Sequence, residues 1–133
     1  MEGTENYNKG KILIGTAEGD IHDIGKNIVI ALLQAQGYEV RDIGVDVPPD
    51  KFIEEVKNFN PDIIGISGLL TVTISKINET ISDLRKAQIN SKIIVGGGIM
   101  SEETCKMIGA DDWTKDGWDG VLKINNLLLN KVA

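Results

Sequence analysis

Residues 11–25 read KILIGTAEGDIHDIG and pass from an isoleucine-rich run, through a polar loop, into a second segment with apolar residues. A short, continuous apolar run is typical of a strand that is buried on both faces of a sheet. The apolar residues after the loop, Ile28, Leu32 and Ala35, have the spacing of one face of a helix. The stretch therefore predicts a β-strand followed by an α-helix.

The same alternation continues along the chain. Further strands are predicted at 38–43, 62–67, 92–95 and Asp112–Thr114, and Gly37 and Asn60–Pro61 are typical of helix ends. Helical spacing is found in three more sets of apolar residues: Phe52, Ile53 and Val56; Ile74, Ile77, Ile81 and Leu84; and Val121, Ile124, Leu127 and Leu128. Five βα units predict an α/β fold of the Rossmann-like (flavodoxin-like) class, with a doubly wound, five-stranded parallel sheet in the order 2-1-3-4-5.

Length, charge and cysteine content limit the classes of protein. The 133 residues predict a single domain at 10–133 after a disordered tail at 1–9. A net charge of −6 argues against nucleic acid or an anionic membrane surface as partner. No apolar stretch approaches the roughly 20 residues that span a bilayer, so we expect a soluble, cytoplasmic protein. Cys105 has no second cysteine to pair with and is expected to lie on a helix.

The loops that follow the strands are the expected ligand site, because such folds bind ligands at the carboxyl ends of their strands. Several nucleotide sites do not match these loops. A Walker phosphate loop would need glycine and a hydroxyl residue where Asp20 and Asn27 stand, and the spaced glycines of a dinucleotide fingerprint are missing. A receiver-like signalling domain fits better, with Asp20, Asp23 and Lys115, but Ser67 stands where its phosphate acceptor would be.

His22, the only histidine, lies between two aspartates. In an extended segment, Asp20 and His22 point the same way, so the carboxylate can bind one ring nitrogen and leave the other as a base or metal ligand. Alternatively, Asp20 caps the following helix and His22 is a polar residue of its first turn. One imidazole is too few for a structural zinc site, so a metal at His22 would need ligands from elsewhere.

Small residues follow the third and fourth strands. Gly96, Gly97 and Gly98, with Ser67 and Gly68, could open a groove for the arm of a bulky ligand, or the glycines could form only a turn. Two hydroxyl residues, Thr71 and Thr73, stand beside this groove, although Thr73 could equally cap a helix.

Together, these residues resemble cobalamin-binding domains over about residues 10–130. Three signatures match in order: DxHxxG at Asp20, His22 and Gly25, SxL at Ser67 and Leu69, and a glycine pair at Gly96 and Gly97. The resemblance implies a corrinoid whose nucleotide tail is displaced from cobalt and buried in the groove, with His22 as the lower cobalt ligand. It also implies these cofactor-binding residues: Gly19, Asp20, Ile21, His22, Asp23, Ile24, Gly25, Ser67, Leu69, Thr71, Thr73, Gly96, Gly97, Gly98, Asp116 and Gly117.

Within that superfamily the chain is similar to the methyl-transfer branch, which includes cobalamin-dependent methionine synthase and the corrinoid proteins of methylamine, methanol and aryl-methyl-ether demethylation. The resemblance implies a methyl carrier for methylcobalamin or a related corrinoid, serving methyl-donor and methyl-acceptor methyltransferase proteins, with a reductive activase as a further partner. It implies a relay from His22 through Asp20 to the hydroxyl of Thr73. The alternatives are the small subunit of an adenosylcobalamin-dependent mutase and a non-corrinoid, receiver-like signalling domain.

Two expectations about the groove and the ring follow. A bulky side chain at Gly97 should block the nucleotide tail without disturbing the fold. Members of the methyl-transfer branch carry a helical domain that caps the upper face of the ring, and residues 1–9 are too few to form one. We therefore expect a single domain without a helical cap, its methyl face open or covered by another subunit.

Overall fold

A computed structural model describes residues 9–132, so all of the predicted tail except residue 9 lies outside the described residues. Five strands alternate with five helices: β1 Lys11–Thr16, α1 Ile24–Ala35, β2 Glu39–Asp42, α2 Pro49–Phe59, β3 Ile63–Ser67, α3 Thr73–Lys86, β4 Lys92–Gly96, α4 Glu102–Ile108, β5 Asp112–Thr114 and α5 Gly117–Val132. No helix among the described residues is long and apolar enough to cross a membrane. The expected cytoplasmic location stays a prediction.

The strands form one parallel sheet in the order β2-β1-β3-β4-β5, which confirms the predicted topology. The register places Thr16, Ser67, Gly96 and Thr114 side by side in one row across the sheet. Each of these four residues is the last residue of its strand. Their row therefore forms the carboxyl edge of the sheet, where the predicted ligand loops begin.

Helices cover both faces of the sheet. On one face, Leu13, Ile64 and Val95 belong to a core cluster that includes Phe52 of α2 and Ile77 of α3. On the other, Ile12, Ile63 and Ile94 join side chains of α1 and α5, among them Leu33 and Val121. Because apolar residues alternate between these two clusters along β1, β3 and β4, the central strands read as continuous apolar runs.

Local signals explain where the helices end. Helix α2 begins with Pro49 in its first turn and ends at Asn60, which adopts a left-handed conformation (φ 55°) before Pro61. In α4, the side chain of Ser101 accepts a hydrogen bond from the Thr104 N–H at the start, and Gly109 ends the helix at φ 78°. Cys105 is buried on α4, which confirms its expected helical position.

Helix α1 corrects one sequence expectation. The face expected from Ile28, Leu32 and Ala35 is wrong at both ends, because the Ile28 side chain is 53% exposed and Ala35 is exposed as well. The face of α1 turned toward the sheet carries Lys26, Ile30 and Leu33, which are buried and follow each other at intervals of four and three residues. Ile28 is two residues from Lys26, about 200° around the helix, and so points outward.

Candidate functional site

A cavity of about 460 Å³ opens at the carboxyl edge of the sheet, between the ends of β1, β3, β4 and β5 and helices α1 and α5. Its walls are made largely of glycines and aliphatic side chains. The glycines are Gly25, Gly65, Gly68, Gly96, Gly97, Gly98 and Gly120, and the aliphatic residues include Ile14, Val29, Ile66, Ile94, Val95 and Ile124. A volume of this order is typical of small-molecule binding sites.

Many of the residues predicted for the site line this cavity. They are Ile21, His22, Asp23, Gly25, Ser67, Leu69, Gly96, Gly97, Gly98 and Asp116. Four others, Gly19, Asp20, Thr71 and Thr73, do not line it. The remaining two, Ile24 and Gly117, begin α1 and α5, and their side-chain environments lie outside the described part of the chain.

Asp20 lies behind His22 and holds its ring. The Asp20 side chain has no exposed surface, whereas that of His22 is 50% exposed. Asp20 Oδ1 accepts a hydrogen bond from the His22 backbone N–H at 2.9 Å and lies 2.6 Å from the ring nitrogen Nδ1. Asp20 Oδ2 accepts from the backbone N–H of Leu69 at 2.7 Å. The pairing of Asp20 with His22 is therefore confirmed as a contact, and it reaches across to the loop after β3.

The alternative role of Asp20 as a helix cap is wrong. Helix α1 begins at Ile24, its N-cap residue is Asp23, and no side chain caps its free N–H groups. The two oxygens of Asp20 bind the N–H groups of His22 and Leu69, and both residues lie outside α1.

The charge state of Asp20 decides which ring nitrogen of His22 is available. Burial by itself raises the pKa of the Asp20 carboxyl, but hydrogen bonds from Leu69 and from the backbone and ring of His22 outweigh it, so the pKa lies below its ordinary value of 3.8. Asp20 is therefore an anion near neutral pH and can only accept hydrogen bonds. Nδ1 must donate its proton to Asp20, which leaves Nε2 as the nitrogen with a lone pair.

Thr73 is bonded within its own turn. Its hydroxyl donates to the Leu70 carbonyl at 2.5 Å, and its side chain is buried. It does not cap α3, since a cap would accept from an N–H. The carboxylate of Asp20 bonds to His22 and Leu69, so the implied step from Asp20 to Thr73 is not among the hydrogen bonds of the described residues.

Sequence reasoning missed two polar residues at the site. The Thr16 hydroxyl donates to the His22 carbonyl at 3.0 Å and lies 2.9 Å from Ser67 Oγ. Lys26 lines the cavity with a side chain that is only 3% exposed and places Nζ 2.6 Å from Asp42 Oδ1. Lys26 could have been found from the sequence, because it is the one charged residue of a largely apolar helix. Thr16 gave no such signal, because it reads as an ordinary strand residue.

The glycines after β4 have different reasons to be glycine. A Cβ at Gly97 would lie 1.9 Å from the Gly68 carbonyl oxygen, and the φ of Gly97 is +141°. The expectation that a bulky residue at Gly97 leaves the fold intact is therefore wrong, because the main chains of two loops meet there. At Gly98 and at Gly25, a Cβ would meet no atom within 4 Å, so these two glycines leave open space in the cavity wall.

An exposed apolar rim adjoins His22. Ile21 is 74% exposed and Val72 is 73% exposed, and Leu69 and Leu70 are also partly open to solvent. Groups of exposed aliphatic side chains are typical of surfaces that bind a ligand or a partner.

The sequence model of the B12 binding domain matches residues 10–118. The chain belongs to this family. This B12 binding domain is 43% identical over 127 residues to a corrinoid protein of Desulfitobacterium hafniense. The aligned region covers 94% of this chain and 59% of the relative. It is 42% identical over 131 residues to dimethylamine corrinoid protein 2 of Methanosarcina acetivorans, and the aligned region covers 97% of this chain and 61% of that relative. The chain spans about three fifths of the length of these curated relatives.

Solved structures agree with this assignment of the B12 binding domain. A cobalamin-binding protein of Desulfitobacterium hafniense matches with a TM-score of 0.86 and 41% identity, over 91% of this chain and 60% of that one. The methanol:cobalamin methyltransferase complex of Methanosarcina barkeri matches with a TM-score of 0.86 and 30% identity, over 95% and 51%. A response regulator of Aurantimonas, 18% identical with a TM-score of 0.66, shares the fold alone.

Proposed function

We propose that this chain is a corrinoid-binding methyl carrier that holds cobalamin base-off, with His22 as the lower cobalt ligand and the nucleotide tail in the 460 Å³ cavity. One observation carries the proposal: the ring of His22, oriented by a buried carboxylate, stands at the mouth of a glycine-lined cavity. A side chain that can bind a metal and a cavity that can take the nucleotide tail therefore lie side by side at the carboxyl edge of the sheet.

The residues of the site fit such a group. Cobalamin combines a broad macrocycle with a long nucleotide arm, and the cavity is largely apolar with open space at Gly25 and Gly98. The exposed aliphatic side chains of Ile21, Leu69 and Val72 suit the apolar underside of a macrocycle. When bound, the cobalt of the corrinoid supplies the centre that accepts and releases a methyl group.

The chain's own residues supply position and electrostatics. Asp20 holds the proton on Nδ1 and so turns the lone pair of Nε2 outward for coordination. The Leu69 N–H keeps Asp20 ionised and fixes it to the loop after β3. The side chain of His22 is half exposed, so its ring is accessible to a bound cofactor.

The partners of the relatives suggest the partners of this chain. Named relatives are dimethylamine corrinoid proteins, and one solved structure is a complex of methanol:cobalamin methyltransferase. We propose that separate methyltransferase proteins load and unload the methyl group and that a reductive activase restores the cofactor after oxidation. The same chemistry makes methylcobalamin the loaded form.

The test compares three variants by the visible spectrum of bound methylcobalamin. His22→Ala should still bind the cofactor, because most of the contact area lies in the tail and ring, but its spectrum should shift to that of cobalt without a lower nitrogen ligand. Asp20→Asn should retain the ligated spectrum in a smaller fraction of molecules, because the amide fixes the ring less firmly.

Asp50→Asn is the control, since Asp50 is an exposed carboxylate on α2 and is not among the residues that line the cavity. Its spectrum should equal that of the unaltered chain. If His22→Ala bound methylcobalamin with an unshifted spectrum, His22 would not be the ligand and the proposal would fail.

A further inference from the structure

Thr16 stands between the cavity and the loop that carries His22. It is the last residue of β1, it is fully buried, and its register partner on β3 is Ser67. Its backbone N–H donates to the Gly44 carbonyl, and its own carbonyl accepts from the Val47 N–H, both at 2.9 Å. The residue is therefore held rigidly by the sheet and by the loop after β2.

The hydroxyl of Thr16 has one proton, and its two partners decide where that proton goes. The His22 carbonyl can only accept, so Thr16 donates to it, at 3.0 Å. The contact of 2.9 Å with Ser67 must then run the other way, with Ser67 donating to Thr16. The result is a directed chain of hydrogen bonds from Ser67, in the cavity wall, through Thr16 to the peptide of His22.

Other hydrogen bonds also hold the loop from Gly19 to His22, but they involve other atoms of the loop than the His22 carbonyl. Gly19 and Asp20 bind Asp46 in the loop after β2, and Asp20 binds Leu69. The bonds of Asp20 to His22 orient the ring relative to Asp20 within the same loop. Among these attachments, the Thr16 bond is the one that ties the carbonyl of His22 directly to a strand of the sheet.

We infer that Thr16 is a positioning residue, which sets the place of His22 over the groove by fixing its peptide to β1 and to Ser67. This inference rests on the proposed function, in which Nε2 of His22 binds cobalt. Asp20 sets the orientation of the ring, and Thr16 sets the distance between the loop and the cavity wall. Loss of the hydroxyl frees the His22 peptide and leaves Ser67 Oγ and the His22 carbonyl without this partner.

The experiment compares Thr16→Val, which removes the hydroxyl at nearly constant shape, with Thr16→Ser, which keeps it. Thr80→Val is the matched control, because Thr80 is also fully buried but bonds only within α3, to the Lys76 carbonyl. Hydrogen–deuterium exchange of the cofactor-free chain reports on the loop, and the visible spectrum of bound methylcobalamin reports on the fraction with a nitrogen ligand.

In Thr16→Val we expect faster exchange at 19–25 and a ratio of ligated to unligated cofactor lowered about three- to tenfold, the usual effect of one hydrogen bond. Thr16→Ser should keep the exchange rate and the ratio of ligated to unligated cofactor close to those of the unaltered chain. Thr80→Val should leave both quantities unchanged. The inference is overturned if Thr16→Val matches the unaltered chain, if Thr16→Ser fails as Thr16→Val does, or if Thr80→Val gives the same loss. Should His22→Ala leave the spectrum unshifted, the proposed function fails, and exchange in the cofactor-free chain still decides whether Thr16 holds the loop.

Discussion

At the scale of single residues, the site depends on a buried carboxylate. Asp20 has no exposed surface, and two backbone N–H groups and the ring of His22 together satisfy its two oxygens. Such a buried anion is stable only while its donors are in place, and removing them costs more than a surface hydrogen bond would. Asp20 therefore contributes to stability as well as to the orientation of His22.

This arrangement predicts how stability depends on pH. The folded pKa of Asp20 lies below 3.8, so its contribution is fully present above about pH 4 and is lost as the pH falls through the folded pKa. Asp20→Asn should lower the free energy of unfolding at pH 7 by about 1.5 to 3 kcal/mol, and the gap to the unaltered chain should narrow below about pH 4.

Urea unfolding of the cofactor-free chain between pH 3 and 7 measures this gap. Asp23→Asn, at an exposed position of the same loop, is the control and should change the free energy of unfolding by less than about 0.5 kcal/mol. A gap for Asp20→Asn that stayed constant down to pH 3 would contradict the role assigned to its carboxylate.

The glycines after β4 predict two kinds of damage. Gly98→Leu should lower cobalamin affinity at least about tenfold with little change in melting temperature, because its side chain enters open space in the cavity wall. Gly97→Leu should cost about 1 to 3 kcal/mol or more of stability, because its Cβ meets the Gly68 carbonyl oxygen.

Cofactor titration and thermal melts of the same samples distinguish the two effects. Gly98→Ala is the graded control and should reduce affinity less than Gly98→Leu does. Full cobalamin affinity in Gly98→Leu would show that the tail does not occupy this part of the cavity.

At the scale of elements, α4 depends on its ends. The helix has only seven residues, too few to be stable by propensity alone. Ser101 accepts from the Thr104 N–H at 3.2 Å at one end, and Gly109 closes the other in a left-handed conformation. The buried residues Cys105 and Ile108 attach the helix to the core between these two caps.

Ser101→Ala should therefore lower the free energy of unfolding by about 1 kcal/mol. Cobalamin affinity should stay unchanged, since no residue of α4 is among those that line the cavity. Ser101→Asp, which keeps a capping oxygen, should retain most of the stability. Denaturant unfolding and cofactor titration of both variants measure this, and a loss of affinity in Ser101→Ala would mean that α4 communicates with the site.

At the scale of the whole molecule, the proposed carrier role depends on what the carboxyl edge of the sheet offers to a cofactor. The cavity and the His22 loop offer a coordinating nitrogen, a buried anion and an apolar wall. We expect the isolated, cobalamin-loaded chain to give no useful turnover with a stable methyl donor such as a methylamine or a methyl ether.

An anaerobic assay of the loaded chain, with and without a methylamine or methanol methyltransferase, measures this expectation. Turnover should appear only when the methyltransferase is added, with His22→Ala as the variant control. Sustained turnover by the isolated chain would contradict a carrier role.

The sequence by itself determined the elements and their order. The apolar run of β1 predicted that strand with its correct bounds, because a strand buried on two faces needs a local run of apolar residues. Alternation of strands and helices then predicted the sheet order, because right-handed crossovers leave few topologies. The motif around His22 likewise predicted the B12 binding family, since its spacing is local.

Only the tertiary structure decided which residues of different loops meet. The row of Thr16, Ser67 and Gly96 depends on strand register, so the contact of Thr16 with Ser67 has no signal in any one segment. The space that a Cβ at Gly97 would occupy is taken by the carbonyl oxygen of Gly68, 29 residues earlier in the chain. Periodicity reports how one segment faces the core, whereas hydrogen bonds and close contacts between loops depend on the positions of at least two segments in space.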